Sequence, residues 1–185
     1  MTTLRHIWQR HEDIGWIRRI KAGETHLFRS LVERYQKPIY ACLRGMVHSH
    51  ELADDLTQEA FIKAFQQLER FDEQYPFFPW LRRIAVNAAL TTLSSAAVRL
   101  RQPLDESQPA PEDLAEQIER NDFLAHIRNA LLKLPEEQRV VFVLRTQQEM
   151  SYEEIADCLQ VSTGTVMSRL SRARQRLKEL LKDEI

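Results

Sequence analysis

Residues 151–178 read SYEEIADCLQVSTGTVMSRLSRARQRLK, and this stretch decides how the C-terminal part of the chain folds. Ser151 followed three residues later by Glu154 is a capping-box pattern, which predicts the start of a short helix. A break at residues 160–162 separates this helix from a longer, basic one. A short helix, a tight turn and a basic amphipathic helix are together typical of a helix-turn-helix.

The second helix of this motif has two different faces. At 100° per residue, one face is apolar and its neighbour carries hydroxyl and guanidinium groups. The apolar face consists of Val166, Leu170, Ala173 and Leu177, and the polar face of Thr165, Arg169, Arg172 and Arg176. Because arginine can bond two acceptors of guanine at once and also pairs with phosphate, we predict that the polar face binds DNA. The alternative is a solvated surface helix with spare arginines.

Helical periodicity continues outward from the motif over most of the chain, and no strand pattern or internal repeat interrupts it. Pro103, Pro109 and Pro111 fall in a polar stretch where the periodicity is lost. We therefore predict an all-α fold of two small helical domains. The first spans residues 1–96, an acidic, proline-containing linker spans 97–118, and the second domain, with the helix-turn-helix, spans 119–185.

The net charge of −1 conceals an uneven distribution. Seven acids and one arginine between Asp105 and Asp122 give −6, whereas five basic residues and no acid between Ser162 and Lys178 give +5. Local charge decides phosphate attraction, because charges are screened within about 8–10 Å at ordinary salt. The overall charge therefore does not exclude a nucleic-acid partner.

The sequence also indicates a compartment. No stretch of 18 apolar residues predicts a membrane span, and the N-terminus lacks the apolar core of a secretory signal. Cys42 and Cys158 are isolated and have neither zinc nor disulfide spacing. We expect no membrane insertion and a reducing, cytoplasmic setting.

An acidic helix, ELADDLTQEAFIKAF at residues 51–65, is a second candidate site. Asp54 with Gln58, and Asp55 with Glu59, are adjacent on a helix surface at i, i+4 spacing. Like charges placed in this way oppose helix stability, which suggests that they dock a basic partner. The alternative, which physical reasoning alone favours, is a solvated helix start stabilised by the helix dipole.

A third candidate is an aromatic cluster in and just after a proline-containing loop. Its members are Phe71, Tyr75, Phe77, Phe78 and Trp80, and Arg82 and Arg83 follow them. Exposed aromatics beside arginines can stack on unpaired bases while the arginines hold phosphates. Packing of these rings into the core is the alternative, and on physical grounds the more common one.

No catalytic set is recognisable. His48 and His50 lie on different helix faces at i, i+2 spacing and have no partner that completes a metal site. Neither a glycine-rich phosphate loop nor a serine nucleophile motif is present. We expect no enzymatic activity, no cofactor and no metal.

Four stretches together resemble the extracytoplasmic-function (ECF, group 4) sigma factors of the sigma-70 family. They are IRRIKAGETHLFRSLVERYQKPIY at 17–40, ADDLTQEAFIKAFQQLERFD at 53–72, FPWLRRIAVN at 78–87, and LPEEQRVVFVLRTQQEMSYEEIADCLQVSTGTVMSRLSRARQRLKELL at 134–181. The order and spacing of these stretches carry the resemblance over nearly the whole chain. It implies a subunit that binds core RNA polymerase, directs it to promoters and assists promoter melting.

The resemblance implies a role for each candidate site. Asp54, Asp55, Gln58 and Glu59 match the surface that docks on the clamp helices of the polymerase's largest subunit. Minus-ten DNA is expected at Phe71, Asp72, Arg82, Arg83 and Asn87, of which Phe71 and Asp72 begin the loop that captures a flipped base. Minus-thirty-five DNA is expected at Thr165, Ser168, Arg169, Arg172 and Arg176. Further expected partners are the flap of the second-largest subunit and an anti-sigma factor.

The chain departs from the family pattern at five positions. The family usually has an acid and then a basic pair after the helix at 78–87, where this chain has Thr91, Ser94 and Ser95. Two common glycines are replaced by Glu149 and Gln160. The missing basic pair leaves open a sigma-mimicking adaptor that sequesters an anti-sigma protein. An ordinary helix-turn-helix repressor is a further alternative, but it gives the first 95 residues no role.

Overall fold

The computed structural model describes residues 2–47, 49–99 and 126–182, and every regular element in these ranges is helical. This confirms the predicted all-α fold. The chain divides into two compact units, residues 1–44 with 49–89 and residues 45–48 with 90–185. No helix in the described ranges is long and apolar enough to cross a membrane.

The first unit is built from α1 (Thr2–Lys21), α2 (Phe28–Arg44), α3 (His50–Gln67) and the start of α4 (Phe77–Arg99). Short 3₁₀ turns at Thr25–Leu27 and Leu68–Arg70 follow α1 and α3. Ser49 begins α3 because its side chain accepts a hydrogen bond from the Leu52 amide at 3.0 Å. The helix α4 ends at Arg99, inside the predicted linker, and residues 100–118 of that linker lie outside the described residues.

Packing of α1 against α2 includes one buried charge. Asp13 is 2% exposed and accepts hydrogen bonds from Tyr35 and from Arg34, the latter at 2.7 Å. Burial raises the pKa of Asp13, although the bonds from Tyr35 and Arg34 oppose this effect. Arg34 also stacks over Trp16 at 4.2 Å from the ring centroid. These contacts hold the C-terminal half of α1 against α2.

The second unit contains α5 (helical residues 126–132), α6 (Glu136–Thr146), α7 (Tyr152–Leu159) and α8 (Thr163–Lys182). Pro135 is the N-cap of α6, immediately before the first turn, where its missing N–H removes no intrahelical hydrogen bond. Helices α6, α7 and α8 pack on one another. Val166, Leu170, Ala173 and Leu177 are all buried, which confirms the predicted apolar face of α8.

Candidate functional site

The helix-turn-helix predicted at 151–178 is present as α7 and α8. The capping box is complete, because the Glu154 amide donates to Ser151 Oγ at 3.1 Å and the Ser151 amide donates to Glu154 Oε2 at 2.7 Å. The Ser162 hydroxyl oxygen accepts from the Thr165 amide at 3.1 Å and begins α8. Residues 160–162 therefore form the tight turn that the motif requires.

Both residues that replace common family glycines have left-handed backbone conformations. Glu149, just before α7, has φ 52°, and Gln160, which ends α7, has φ 54°. A side chain with a Cβ is strained in this region of φ, whereas glycine is not. Part of the strain at Gln160 is offset because its Nε2 donates to the Asp157 carbonyl at 2.8 Å. The Glu149 side chain forms no hydrogen bond or ion pair with a described residue.

The three arginines predicted to bind minus-thirty-five DNA lie in different environments. Arg172 and Arg176 are exposed, and neither makes an ion pair within the described part of the chain. Arg169 instead forms an ion pair of 2.6 Å with Glu137 of α6, and its side chain is 21% exposed. Arg169 therefore ties α8 to α6, whereas Arg172 and Arg176 are available to a partner.

The two hydroxyl residues of the predicted minus-thirty-five site are bonded within α8. Thr165 is half-buried, and its hydroxyl lies 2.9 Å from that of Ser162. Ser168 is exposed and donates to the Thr165 carbonyl at 3.0 Å. Met167, which the sequence analysis did not select, is 50% exposed between them. Its exposure follows from its position away from the buried face, a signal already present in the periodicity.

On α3, the candidate docking residues share one accessible face. Asp54, Asp55 and Gln58 are exposed, and Glu59 is half-buried in an ion pair with Lys63. Asp54 and Asp55 make no ion pair with a described residue. All four residues lie beyond the first turn of α3, where the helix dipole acts only weakly on charges. The helix start therefore does not account for them, contrary to the alternative that physical reasoning favoured.

Sequence reasoning missed two apolar residues on the same face of α3. Ile62 is 58% exposed and Phe65 is 42% exposed. At 100° per residue, Ile62 lies between Gln58 and Glu59 around the helix axis. Large exposed apolar side chains beside charged ones are characteristic of protein-binding surfaces. Their signal in the sequence is the apolar content of the acidic segment at residues 51–65.

The loop at 71–76 joins the 3₁₀ turn after α3 to α4. The Phe71 side chain is 3% exposed, and its ring centroid lies 5.8 Å from that of Phe77 and 4.9 Å from that of Trp80. The interpretation of these aromatics as core residues is therefore confirmed for Phe71 and Phe77. Tyr75 is 64% exposed and is the accessible ring of the loop.

The polar residues predicted to bind minus-ten DNA differ in accessibility. Asp72 and Asn87 are exposed and Arg83 is half-buried, whereas Arg82 is only 7% exposed and lies 5.3 Å from the Phe78 ring. One carboxylate oxygen of Asp72 accepts from the Gln74 amide at 2.9 Å, which shapes the loop. Phe71 and Arg82 thus lie beneath the surface that Asp72, Arg83 and Asn87 present.

Farther along α4, Thr91, Ser94 and Ser95 are exposed. The hydroxyls of Ser94 and Ser95 both donate to the Thr91 carbonyl, at 2.9 and 2.8 Å. Serine bonds of this kind, back to the preceding turn, use the hydroxyl proton within the helix. Ser94 and Ser95 therefore present no positive charge and no unused hydroxyl proton.

Family profiles match both parts of the chain. The profile described as Sigma-70 region 2 matches residues 31–99, and the one described as Sigma-70, region 4 matches residues 124–177. The chain is 33% identical over 184 residues to the RNA polymerase sigma-H factor of Pseudomonas aeruginosa, covering 92% of this chain and 94% of that protein. The chain belongs to the ECF family of RNA polymerase sigma factors.

Two further similarities agree with this assignment. The ECF RNA polymerase sigma-E factor of Haemophilus influenzae is 33% identical over 186 residues, covering 90% of this chain and 93% of that protein. A solved structure of the sigma factor RpoE in complex with the anti-sigma factor NepR, from Bartonella quintana, has a TM-score of 0.66 and 27% identity. That similarity covers 84% of this chain and 96% of the matched one. The sigma factor described here is thus a transcription initiation factor that binds core RNA polymerase and promoter DNA.

Proposed function

We propose that this sigma factor docks on the clamp helices of the polymerase's largest subunit through the exposed face of α3. Asp54, Asp55, Gln58 and Glu59 supply the polar part of the surface. The observation that carries the proposal is that Ile62 and Phe65 are exposed on the same face. Apolar side chains surrounded by charged ones give both affinity and orientation. The apolar side chains are desolvated on binding, and the acidic side chains select a basic partner.

A charge-reversal experiment tests this surface. We expect Asp55→Lys with Glu59→Lys to weaken binding to core polymerase several-fold, most strongly at low salt where charge attraction is least screened. Glu33→Lys with Glu69→Lys is the matched control, because both residues are exposed in the same unit and the charge change is the same. Fluorescence titration of labelled core polymerase measures the affinity. Equal binding by the two double variants at low salt would exclude this docking surface.

Minus-ten DNA is proposed to bind across the 71–76 loop and the exposed side of α4. Asp72, Arg83 and Asn87 supply accessible polar groups, and Tyr75 supplies an exposed ring on which a base can stack. Phe71 and Arg82 support this surface from below. We also propose the domain boundaries predicted from the sequence. Residues 1–96 would dock and melt, residues 97–118 would connect, and residues 119–185 would read the minus-thirty-five element and contact the flap.

Minus-thirty-five DNA is proposed to meet the exposed side of α8 at Ser168, Arg172 and Arg176. Arg172 carries the base contact or the closest phosphate contact, since it is exposed and has no ion-pair partner among the described residues. Thr165 fixes the start of α8, and Arg169 holds α8 against α6. Direct contact with the phosphate backbone also makes binding sensitive to salt.

An anti-sigma factor is proposed to hold the protein inactive until a signal releases it. The similarity to the Bartonella quintana sigma factor, whose structure is a complex with an anti-sigma factor, supports this regulation. The sigma factor then works in the cytoplasm without catalytic activity of its own. Run-off transcription with core polymerase and the purified chain tests the assignment. A requirement for another activating protein would contradict anti-sigma control. If no transcript formed with or without further proteins, the alternative of a sigma-mimicking adaptor would be favoured.

A further inference from the structure

The 71–76 loop is held from outside by the C-terminal end of α1. Lys21 Nζ donates to the Phe71 carbonyl at 2.9 Å and to Glu73 Oε1 at 3.2 Å. Arg18 Nε donates to Glu73 Oε2 at 2.7 Å. Both oxygens of the Glu73 carboxylate are thus bonded to α1, and these bonds lower its pKa. A segment about fifty residues earlier in the chain therefore fixes the loop.

Local contacts also set the shape of this loop. The Phe71 ring is anchored in the aromatic cluster, and Asp72 forms a turn with the Gln74 and Tyr75 amides. No regular secondary structure covers residues 71–76. A segment with few backbone hydrogen bonds samples several conformations unless side chains restrict it. Glu73, at its centre, has ion-pair partners only on α1 among the described residues.

We infer that Lys21, assisted by Arg18, is a positioning residue for minus-ten recognition. By holding the Phe71 carbonyl and the Glu73 carboxylate together, Lys21 keeps the loop in the shape that receives an extruded base. The inference rests on the proposed role of the 71–76 loop. Pre-organisation raises affinity because apparent binding weakens in proportion to the fraction of molecules in the competent shape. Lys21 is mostly covered, with 20% of its side chain exposed, and acts through the loop.

The test measures binding of a fluorescent single-stranded DNA to the complete holoenzyme. The DNA carries the minus-ten element that the wild-type holoenzyme selects from a random promoter library. We expect Lys21→Met to weaken binding about three- to tenfold, as when the competent fraction falls to roughly 10–30%. Glu73→Gln should weaken it in the same direction, because it removes the carboxylate that both cations hold. Lys21→Arg, which keeps charge and donors, should restore most of the affinity.

Arg19→Met is the matched control, because it removes the same charge from the same helix but, among the described residues, breaks only the ion pair with Glu24. Its affinity should equal that of the wild type. If Lys21 instead touched phosphate, Lys21→Met would lower the salt slope by about one unit and Glu73→Gln would strengthen binding. That pattern, or wild-type affinity in both variants, would overturn the inference.

Two features of the test separate this inference from the proposed function. If wild-type holoenzyme itself does not retain the minus-ten strand, the proposed role of the loop is wrong. If it does and the Lys21 and Glu73 variants match it, only the positioning role is wrong. Should Lys21→Met lower the melting temperature, Glu73→Gln still reports on the loop, because glutamine has nearly the size and shape of glutamate and the substitution leaves α1 unchanged.

Discussion

Replacing Glu149 by glycine should stabilise the second unit of this sigma factor. Glu149 has φ 52°, a conformation in which its Cβ is strained, and its side chain makes no hydrogen bond with a described residue that the substitution would remove. Relief of the strain of the left-handed conformation stabilises the folded state by about 1–2 kcal/mol. The greater conformational freedom of glycine in the unfolded chain offsets about 0.4–1 kcal/mol of this gain. We therefore expect a net gain of about 0.5–1 kcal/mol.

Gln160→Gly should gain less, although its φ of 54° is nearly the same. Glycine there also removes the hydrogen bond from Gln160 Nε2 to the Asp157 carbonyl, which contributes about 0.5–1.5 kcal/mol. The two effects oppose each other, and the expected change lies between a loss of about 1 kcal/mol and a gain of about 0.5 kcal/mol. The ranking of the two variants follows from that one bond.

Thermal unfolding followed by circular dichroism measures both changes. A gain of 0.5–1 kcal/mol corresponds to a rise of about 2–8 °C for a domain of this size. Trp8, Trp16 and Trp80 all lie in the first unit, so tryptophan fluorescence follows that unit alone and should not shift. Glu149→Ala is the control, because it removes the carboxylate but keeps the Cβ. If alanine stabilised as much as glycine, backbone strain would not be the cause.

Three further predictions concern residues of the expected DNA-binding surfaces. Arg172→Ala should cost about 1–3 kcal/mol of minus-thirty-five binding if the side chain reads a base, or reduce the salt slope by about one unit if it contacts phosphate. Arg169→Ala should lower the melting temperature of the second unit while leaving base preference unchanged, because it breaks the ion pair with α6; a specific loss of base preference would contradict this. Ser94→Arg with Ser95→Arg should steepen the salt slope of promoter binding by up to about two units, since neither serine now brings a charge. An unchanged slope and an unchanged ranking of promoters with poor minus-thirty-five elements would show that these positions do not face DNA.

The sequence by itself determined the local structure of this protein. The structure of residues 151–178 follows from local signals within that stretch. The capping box starts α7, and helical spacing places four apolar residues on the buried side of α8: Val166, Leu170, Ala173 and Leu177. These features depend on residues at most a few turns apart, so periodicity and capping rules are sufficient to predict them. The resemblance of four ordered stretches to the ECF sigma factors also indicates the family from the sequence alone.

Only the tertiary structure decided which predicted residues are available to a partner. Helical spacing places Arg169 and Arg172 on one face, but Glu137 of α6 engages only the first. The aromatic content of 71–80 does not reveal that Phe71 is enclosed and Tyr75 exposed. Nor does the sequence show that Lys21 reaches the Phe71 carbonyl. The contacts of Arg169 and Lys21 join residues far apart in the sequence, and the Phe71 ring packs across the loop on Phe77 and Trp80. Periodicity fixes the direction of a residue around its own helix but not which neighbour it meets.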